Sequence, residues 1–435
     1  MTDGTHPSRI EWFTEEVPGG DAALVAAVMG ALYVGFTALS LLVGVTLTGL
    51  VSGLQGITFF AAVYALAALA LNLQWGYAGL FNVGVAGFMA VGVYTMAILT
   101  RPVNPDTGVG GFGLPLVVGV LGGIAIAALL GFVAAVPALR VRDDYLAIIT
   151  VGLGEIVRLT VNSQTFARVD VFGVTTGTGG ANGLSLPQNP VDALFYVNPD
   201  SPAEGATILG DALFGVASSV GIPNAVALSW AYTLVVVGFV GLFYVYLARL
   251  ANSPFGRVLK AIREDEMVAE ALGKDTNRFK ITAFVVGCAL MGLTGILWQG
   301  SQGFTSPANY LPQQTFYIFI ALIIGGAGSN TGSVLGGALF AGLLFRGPPL
   351  LANTVEAFAD FGRAPTTVID AVIPLASADP FPLLAFLFDH IAALRFMLVG
   401  AVLIYLIQNR PQGLLGHRKE TASTVSLARG GTDEQ

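Results

Sequence analysis

Ile57-Thr-Phe-Phe-Ala-Ala-Val-Tyr-Ala-Leu-Ala-Ala-Leu-Ala-Leu-Asn-Leu73 is apolar for a membrane's thickness and carries no charge. It lies within a longer tract, Ala22 to Thr100, that contains no Asp, Glu, Lys or Arg, and a second such tract runs from Ile281 to Phe345. A helix that crosses a bilayer needs about 20 apolar residues, so the first tract holds three spans and the second two or three. The whole chain has 435 residues, of which 54% are hydrophobic and 11% charged. Soluble domains carry about 25% charge, and a soluble chain of this length would need it to cover its surface. Period-two alternation, the mark of a membrane β-barrel, is absent. The fold class is therefore all-α, a polytopic helical membrane protein with about 8–10 transmembrane or re-entrant helices.

Working outward from 57–73, the spans fall near Ala22–Leu47, Ile57–Leu73, Leu80–Thr100, Leu114–Ala138, Tyr145–Val161, Ala225–Leu247, Ile281–Trp298, Phe316–Gly326, Val334–Leu344 and Leu383–Ile407. The chain divides into an N-terminal segment (1–21), a transmembrane domain (22–410) and a tail (411–435). Residues 1–21 lack the basic start and short apolar core of a cleavable signal, so the first span is expected to stay. Lys and Arg in short loops favour the cytoplasm. Placing segment 249–280 inside puts Arg140, Arg142 and the basic tail inside with it, and leaves only Arg101, Arg168, Arg346 and Arg363 in the outer loops. Both termini are then cytoplasmic. Two long outer segments, 162–224 and 346–382, are rich in Asp, Pro and Gly. They suit either a surface for an extracytoplasmic partner or acidic solvation in high salt.

The densest polar stretch is Arg249–Lys280, with seven basic residues and five carboxylates. Ser253-Pro254 is a good helix start, because serine caps free N–H groups and proline suits the first position. Phe255, Val258, Leu259 and Ile262 then form one apolar face, with Arg257, Lys260 and Arg263 expected away from it. Asp265 can cap a second short helix, which Gly273 ends in a left-handed turn. The pattern describes a two-helix elbow outside the membrane. An amphipathic segment lying on anionic lipid is the competing reading, which the five carboxylates disfavour.

The run Ser253-Pro-Phe-Gly-Arg-Val-Leu-Lys-Ala-Ile-Arg-Glu-Asp-Glu266, with Ala269-Glu-Ala-Leu-Gly273 and Arg278-Phe-Lys280, resembles the cytoplasmic EAA loop of ABC-importer permeases. It is most similar to the M-type membrane subunit of branched-chain amino-acid (LIV) transporters. Four more stretches resemble that family in order: Asn72-Leu-Gln-Trp-Gly-Tyr-Ala-Gly79, Leu139–Ile148 with Gly154–Arg158, Thr178–Leu184, and Arg410-Pro-Gln-Gly-Leu-Leu-Gly416. Leu80 and Val85 stand where the family often has Gln and His, and the outer segments are long. The resemblance implies that Glu270, Ala271 and Gly273 form the core of an ATPase-coupling motif, with Arg263, Glu264 and Asp265 in the flanking elbow. It also implies partners: a homologous second permease subunit, two cytoplasmic ABC ATPase subunits and an extracytoplasmic solute-binding protein, in the plasma membrane of a prokaryote.

Several features inside the membrane are candidates for the translocation path. Gly325, Gly326 and Gly328 interrupt an apolar tract, which suits a re-entrant or broken helix. Gly328, Gly332 and Gly336 also recur every four residues, which suits a close-packing stripe. The only Gly-Lys, Gly273-Lys274, is followed by Asp275, so no phosphate-binding loop is recognisable and no cofactor is expected in this chain. ATP would be used by the partner subunits. Glu155 and Arg158 share a helix face in a span, either as partners for a zwitterionic solute or as a structural ion pair. Asn72, Asn82, Ser163 and Gln164 are weaker path candidates. No residue cluster has metal-ligand spacing, no nucleophile–base pair suggests an enzyme, and nothing points to nucleic acid. The expected function is the permease subunit of an ATP-driven importer for branched-chain, hydrophobic amino acids. A urea- or amide-type importer permease and an ion-coupled secondary transporter are the alternatives.

Overall fold

The structure is a computed structural model that describes residues 20–103, 109–139, 143–171, 173–186, 191–198, 204–358, 364–377, 379–410 and 412–415. The expectations for residues 1–19, for Arg140 and Arg142, for Arg363 and for the tail beyond residue 415 lie outside the described residues. The membrane helices are α1 (Gly20–Leu42), α2 (Leu47–Leu71), α3 (Val85–Thr100), α4 (Leu116–Ala138) and α5 (Asp143–Asn162). A long connecting segment follows with the short helices α6 (Gln164–Ala167), α7 (Asp192–Phe195) and α8 (Ile208–Ser219). Next come α9 (Asn224–Asn252), the elbow helices α10 (Pro254–Glu264) and α11 (Glu266–Ala271), and α12 (Thr276–Gly300). The chain ends with α13 (Pro312–Gly325), α14 (Asn330–Leu339), α15 (Gly347–Phe358), α16 (Val368–Val372), α17 (Phe381–Asp389) and α18 (Ile391–Asn409).

Seven helices among the described residues are long and apolar enough to cross a membrane, and shorter apolar helices such as α3 and α13 complete the set. Among the described residues two small antiparallel strand pairs interrupt the helices, β1 (Val169–Val171) with β2 (Val174–Thr176) and β3 (Leu184–Ser185) with β4 (Phe304–Thr305), besides a single bridge between Tyr196 and Ala206.

Helix α2 is the axis of the bundle. Its residues from Val63 to Leu71 are almost wholly buried, because α9, α12, α13 and α14 pack around it. A second layer joins α3, α4 and α12 at glycines. A Cβ on Gly92 would stand 2.5 Å from the Gly292 carbonyl oxygen, and one on Gly123 2.5 Å from that of Gly92. Helices in lipid have no hydrophobic force between them, so close backbone approach at small residues does the joining. The outer helices keep apolar side chains on the surface, for example Val34, Leu121, Ile156 and Leu234. That surface matches lipid or another apolar subunit.

Several boundaries differ from expectation: the first span ends at Leu42 rather than Leu47, and the expected span Leu383–Ile407 is two helices, α17 and α18, parted at His390. The second span begins at Leu47 rather than Ile57, because Thr46 caps it and residues 47–56 continue the helix. The third starts at Val85, leaving residues 79–84 non-helical. The segment expected to open an outer loop at Arg346 is instead helical to Phe358: α14 passes through a π-helical turn (Phe340–Arg346) into α15. Pro348 and Pro349 have no N–H to give to the helical ladder, and they follow directly on this loosened π-helical turn.

Candidate coupling site

The elbow folds as its local chemistry dictates. The Ser253 hydroxyl accepts from the Gly256 N–H (3.3 Å), the Asp265 carboxylate from the Val268 N–H (3.1 Å) and the Asp275 carboxylate from the Arg278 N–H (3.1 Å). Each satisfies a helix-start donor that would otherwise lack a partner. Gly273 ends α11 with φ +77°, as its Lys274 N–H turns back to the Ala269 carbonyl. Two side-chain ties lock α11 to α12: Thr276 Oγ1 donates to Glu270 Oε1 (2.8 Å), and Lys280 Nζ pairs with Glu266 Oε2 (2.5 Å). Leu259 and Ile262 are buried, and Phe255 stacks on Phe279.

The opposite side of the elbow is open. Glu264, Asp265, Glu270, Ala271 and Gly273 are exposed, and so are the apolar side chains of Met267 (78%), Val268 and Leu272 (73%).

Two of the basic residues of α10, which the helical period sets off its apolar face, turn back toward the bundle. Lys260 lies over the Tyr77 ring, 5.8 Å from its centre. Arg263 reaches into the bundle, where its Nη1 donates to the Gly76 carbonyl oxygen. A Cβ on Gly79 would touch the Arg263 side chain at 3.4 Å, and one on Gly328 would lie 3.1 Å from its Nη1. One guanidinium thus sits at both interruptions of the membrane helices.

The first interruption follows α2. The helix loosens into a π-helical turn, Asn72–Tyr77, and residues 79–84 return without helical bonding. Irregular backbone at membrane depth must be satisfied by protein. Here three wholly buried amides do that: Asn72, Gln74 and Asn82. Asn72 donates to Asn330 Oδ1 (3.2 Å) and accepts from the Gly328 N–H (2.7 Å), while Tyr77 Oη donates to the same Asn330 oxygen (3.0 Å). Gln74 donates to the Phe284 carbonyl of α12 (2.8 Å) and accepts from Asn82 (2.8 Å), whose Oδ1 takes the Gly84 N–H (2.8 Å). The Val83 N–H bonds Thr150 on α5 (2.9 Å), and the Ala86 N–H bonds Thr315 on α13 (3.0 Å). Four helices are tied together at this one break.

The second interruption lies between α13 and α14. Gly326 and Gly328 have φ of +103° and +93°, and Ser329 caps α14 through the Gly332 N–H (3.0 Å). Both readings of the glycine tract therefore hold in part. The helix is broken at 326–329, and Gly325, Gly332 and Gly336 are packing glycines: a Cβ on Gly325 would stand 1.8 Å from the Gly332 carbonyl oxygen. Gly328 does not belong to the stripe, because it precedes the helix and faces Gly76 and Arg263 instead. The turn at 412–415 closes over the break, as the N–H groups of Leu414 and Leu415 bond the carbonyls of Ile324 and Gly325 (3.0 and 2.9 Å).

Glu155 and Arg158 pair with each other, Arg158 Nε donating to Glu155 Oε2 at 2.8 Å, and both are half-buried. Glu155 also borders a small recess beside Gly84, Gly87 and Thr315. The sequence candidates Asn72, Asn82, Gly328 and Arg263 thus converge, while Arg158 stays on α5. Gln74, Thr150, Tyr77 and Asn330 were not singled out. A polar side chain in a charge-free tract is the signal that finds Gln74, as it found Asn72.

The family model described as branched-chain amino acid transport system / permease component matches residues 53–358, which include both breaks and the elbow. The High-affinity branched-chain amino acid transport system permease protein LivM of Escherichia coli (strain K12) is 33% identical over 288 residues, covering 66% of this chain and 62% of that protein. The Probable branched-chain amino acid transport permease protein LivM of Methanocaldococcus jannaschii is 27% identical over 307 residues, covering 64% of this chain and 77% of its own length. The permease protein LivH of the same Escherichia coli system is 25% identical over 290 residues, 66% of this chain and 81% of its own. No solved structure matches. With a family model covering most of the chain, including both helix breaks and the two-helix elbow, the chain belongs to the family of branched-chain amino acid transport system permease components.

Proposed function

We propose that this chain is the membrane-spanning subunit of an ATP-driven importer for branched-chain, hydrophobic amino acids. It would work with a homologous second permease subunit, two cytoplasmic ATPases and a solute-binding protein, in a prokaryotic plasma membrane with both termini inside. The observation that carries this reading is the Arg263–Gly76 bond, which joins an exposed, two-helix elbow to the broken centre of the bundle.

The mechanism follows from stiffness and position. An ATPase gripping Met267, Val268 and Leu272, with the carboxylates of Glu264, Asp265 and Glu270 around them, would move α11. The Glu270–Thr276 and Glu266–Lys280 ties carry that motion into α12. Arg263 carries it to Gly76 and Gly328, where non-helical backbone offers a place for two arrangements. ATP is consumed by the partner subunits, and this chain supplies the path and receives the force.

The test is reconstitution with the subunits encoded beside this chain, followed by ATP-dependent uptake of leucine, isoleucine or valine, with urea as the control. Gly273→Val and Glu270→Ala are expected to insert normally and to abolish most uptake. Uptake driven by an ion gradient without an ATPase, or unchanged uptake in both variants, would overturn the reading.

A further inference from the structure

At the end of the bundle opposite the elbow, where α2 and α9 begin and α12 ends, an open crevice of about 600 Å³ separates the helices. Small-molecule sites commonly have volumes of about 300–1,000 Å³. Arg346, the last residue of the π-helical turn after α14, lies on one side, and Asp192 of α7 borders the same space. Among the described residues neither side chain joins an ion pair or accepts or donates a hydrogen bond, so two opposite charges share a crevice without neutralising each other. The Arg346 guanidinium is nonetheless held in place. It stacks over Phe60 at 4.8 Å and lies against Gly56, where a Cβ would stand 2.6 Å from Nη2. Burial raises the Asp192 carboxyl above its ordinary range, a desolvation that an arriving cation would relieve. Phe60 and Leu228 give the crevice an apolar wall.

We infer that this crevice is an entry site for a free α-amino acid with an apolar side chain, its carboxylate on Arg346, its ammonium on Asp192 and its side chain against Phe60 and Leu228. The inference rests on the permease reading above and adds a location and a recognition chemistry to it. A neutral solute such as urea would leave both charges unmatched, and an anion or a cation alone would satisfy only one.

The experiment uses the complete transporter in lipid vesicles. Cys288 is the sole cysteine of this chain and is buried, so with partner subunits made cysteine-free, Ser229→Cys at the crevice wall supplies a clean site for a maleimide. Leucine at millimolar concentration is expected to slow labelling, and urea to leave it unchanged. Asp192→Asn is expected to weaken protection by leucine about tenfold or more, and protection by isocaproate, which lacks the ammonium, much less. Arg346→Gln should weaken leucine while sparing isoamylamine, which lacks the carboxylate. A variant that merely collapsed the crevice would lose all three ligands alike, and with Asp192→Glu and Arg346→Lys failing to restore protection, that pattern counts against the inference. Labelling indifferent to leucine, in a complex that still takes up leucine with ATP, sinks the site and leaves the transport reading intact. Protection without uptake keeps the site and removes the transport reading. Labelling that responds to phosphatidylethanolamine in the vesicles and not to leucine assigns the crevice to lipid and overturns the inference.

Discussion

Replacing Arg263 with alanine isolates the link between the elbow and the membrane breaks. The variant deletes the donor to the Gly76 carbonyl and empties the space between Gly79 and Gly328. The neighbouring Gly79 and Leu80 N–H groups already turn back to the Trp75 and Gln74 carbonyls, so they do not replace it. A hydrogen bond from a charged donor contributes about 1.5–3 kcal/mol when well shielded. Arg263 as a whole residue is exposed, and solvent screening reduces this to about 1–2 kcal/mol. That is a factor of about 5–30 in the equilibrium between two arrangements of the break. Leu259, Ile262 and the ties to α12 remain, so the elbow keeps its fold and its outer face. The assay is the ratio of leucine transported to ATP hydrolysed in vesicles containing the whole complex. Arg263→Ala is expected to assemble and hydrolyse ATP while this ratio falls about fivefold or more, and Arg263→Lys is expected to fall in between. An unchanged ratio in Arg263→Ala refutes the link, because it means the elbow acts on the bundle by another route.

Other substitutions probe the packing that holds the breaks. Gly325→Ala places a methyl 1.8 Å from the Gly332 carbonyl oxygen, so α13 and α14 must separate, at a cost of about 1–3 kcal/mol or more. Denaturation in mixed detergent should show this loss, whereas Gly238→Ala on α9, which meets nothing within 4 Å, should show none. Gln74→Leu removes the acceptor of the buried Asn82 amide, for about 1–3 kcal/mol, while the Phe284 carbonyl keeps its bond within α12, and the same measurement should register the loss.

The membrane class, nearly all of the helical segments and the elbow were legible in the sequence, including the caps at Ser253 and Asp265 and the stop at Gly273. All of these depend on residues near one another along the chain: an apolar run long enough for a bilayer, a hydroxyl or carboxylate beside free N–H groups, a glycine where φ must be positive. The Glu155–Arg158 pair was legible for the same reason, since i and i+3 share a helix face. The start of the second span at Leu47 and the helix continuing past Arg346 were less so, because neither helix ends where its apolar run does.

Tertiary structure alone decided what the breaks touch. Arg263 and Gly76 are 187 residues apart, and Gly328 meets Asn72 across 256. Nothing local selects Gln74 as the partner of Asn82 and α12, or separates Gly328 from the packing stripe it imitates in the sequence. The same holds for Asp192 and Arg346, which share a crevice only because α2, α7, α9 and the turn after α14 meet there. Local patterning sets which segments become helices, since their backbone bonds close within the segment. Which side chains converge is set by the packing of glycines and buried amides between helices, and periodicity carries no record of that.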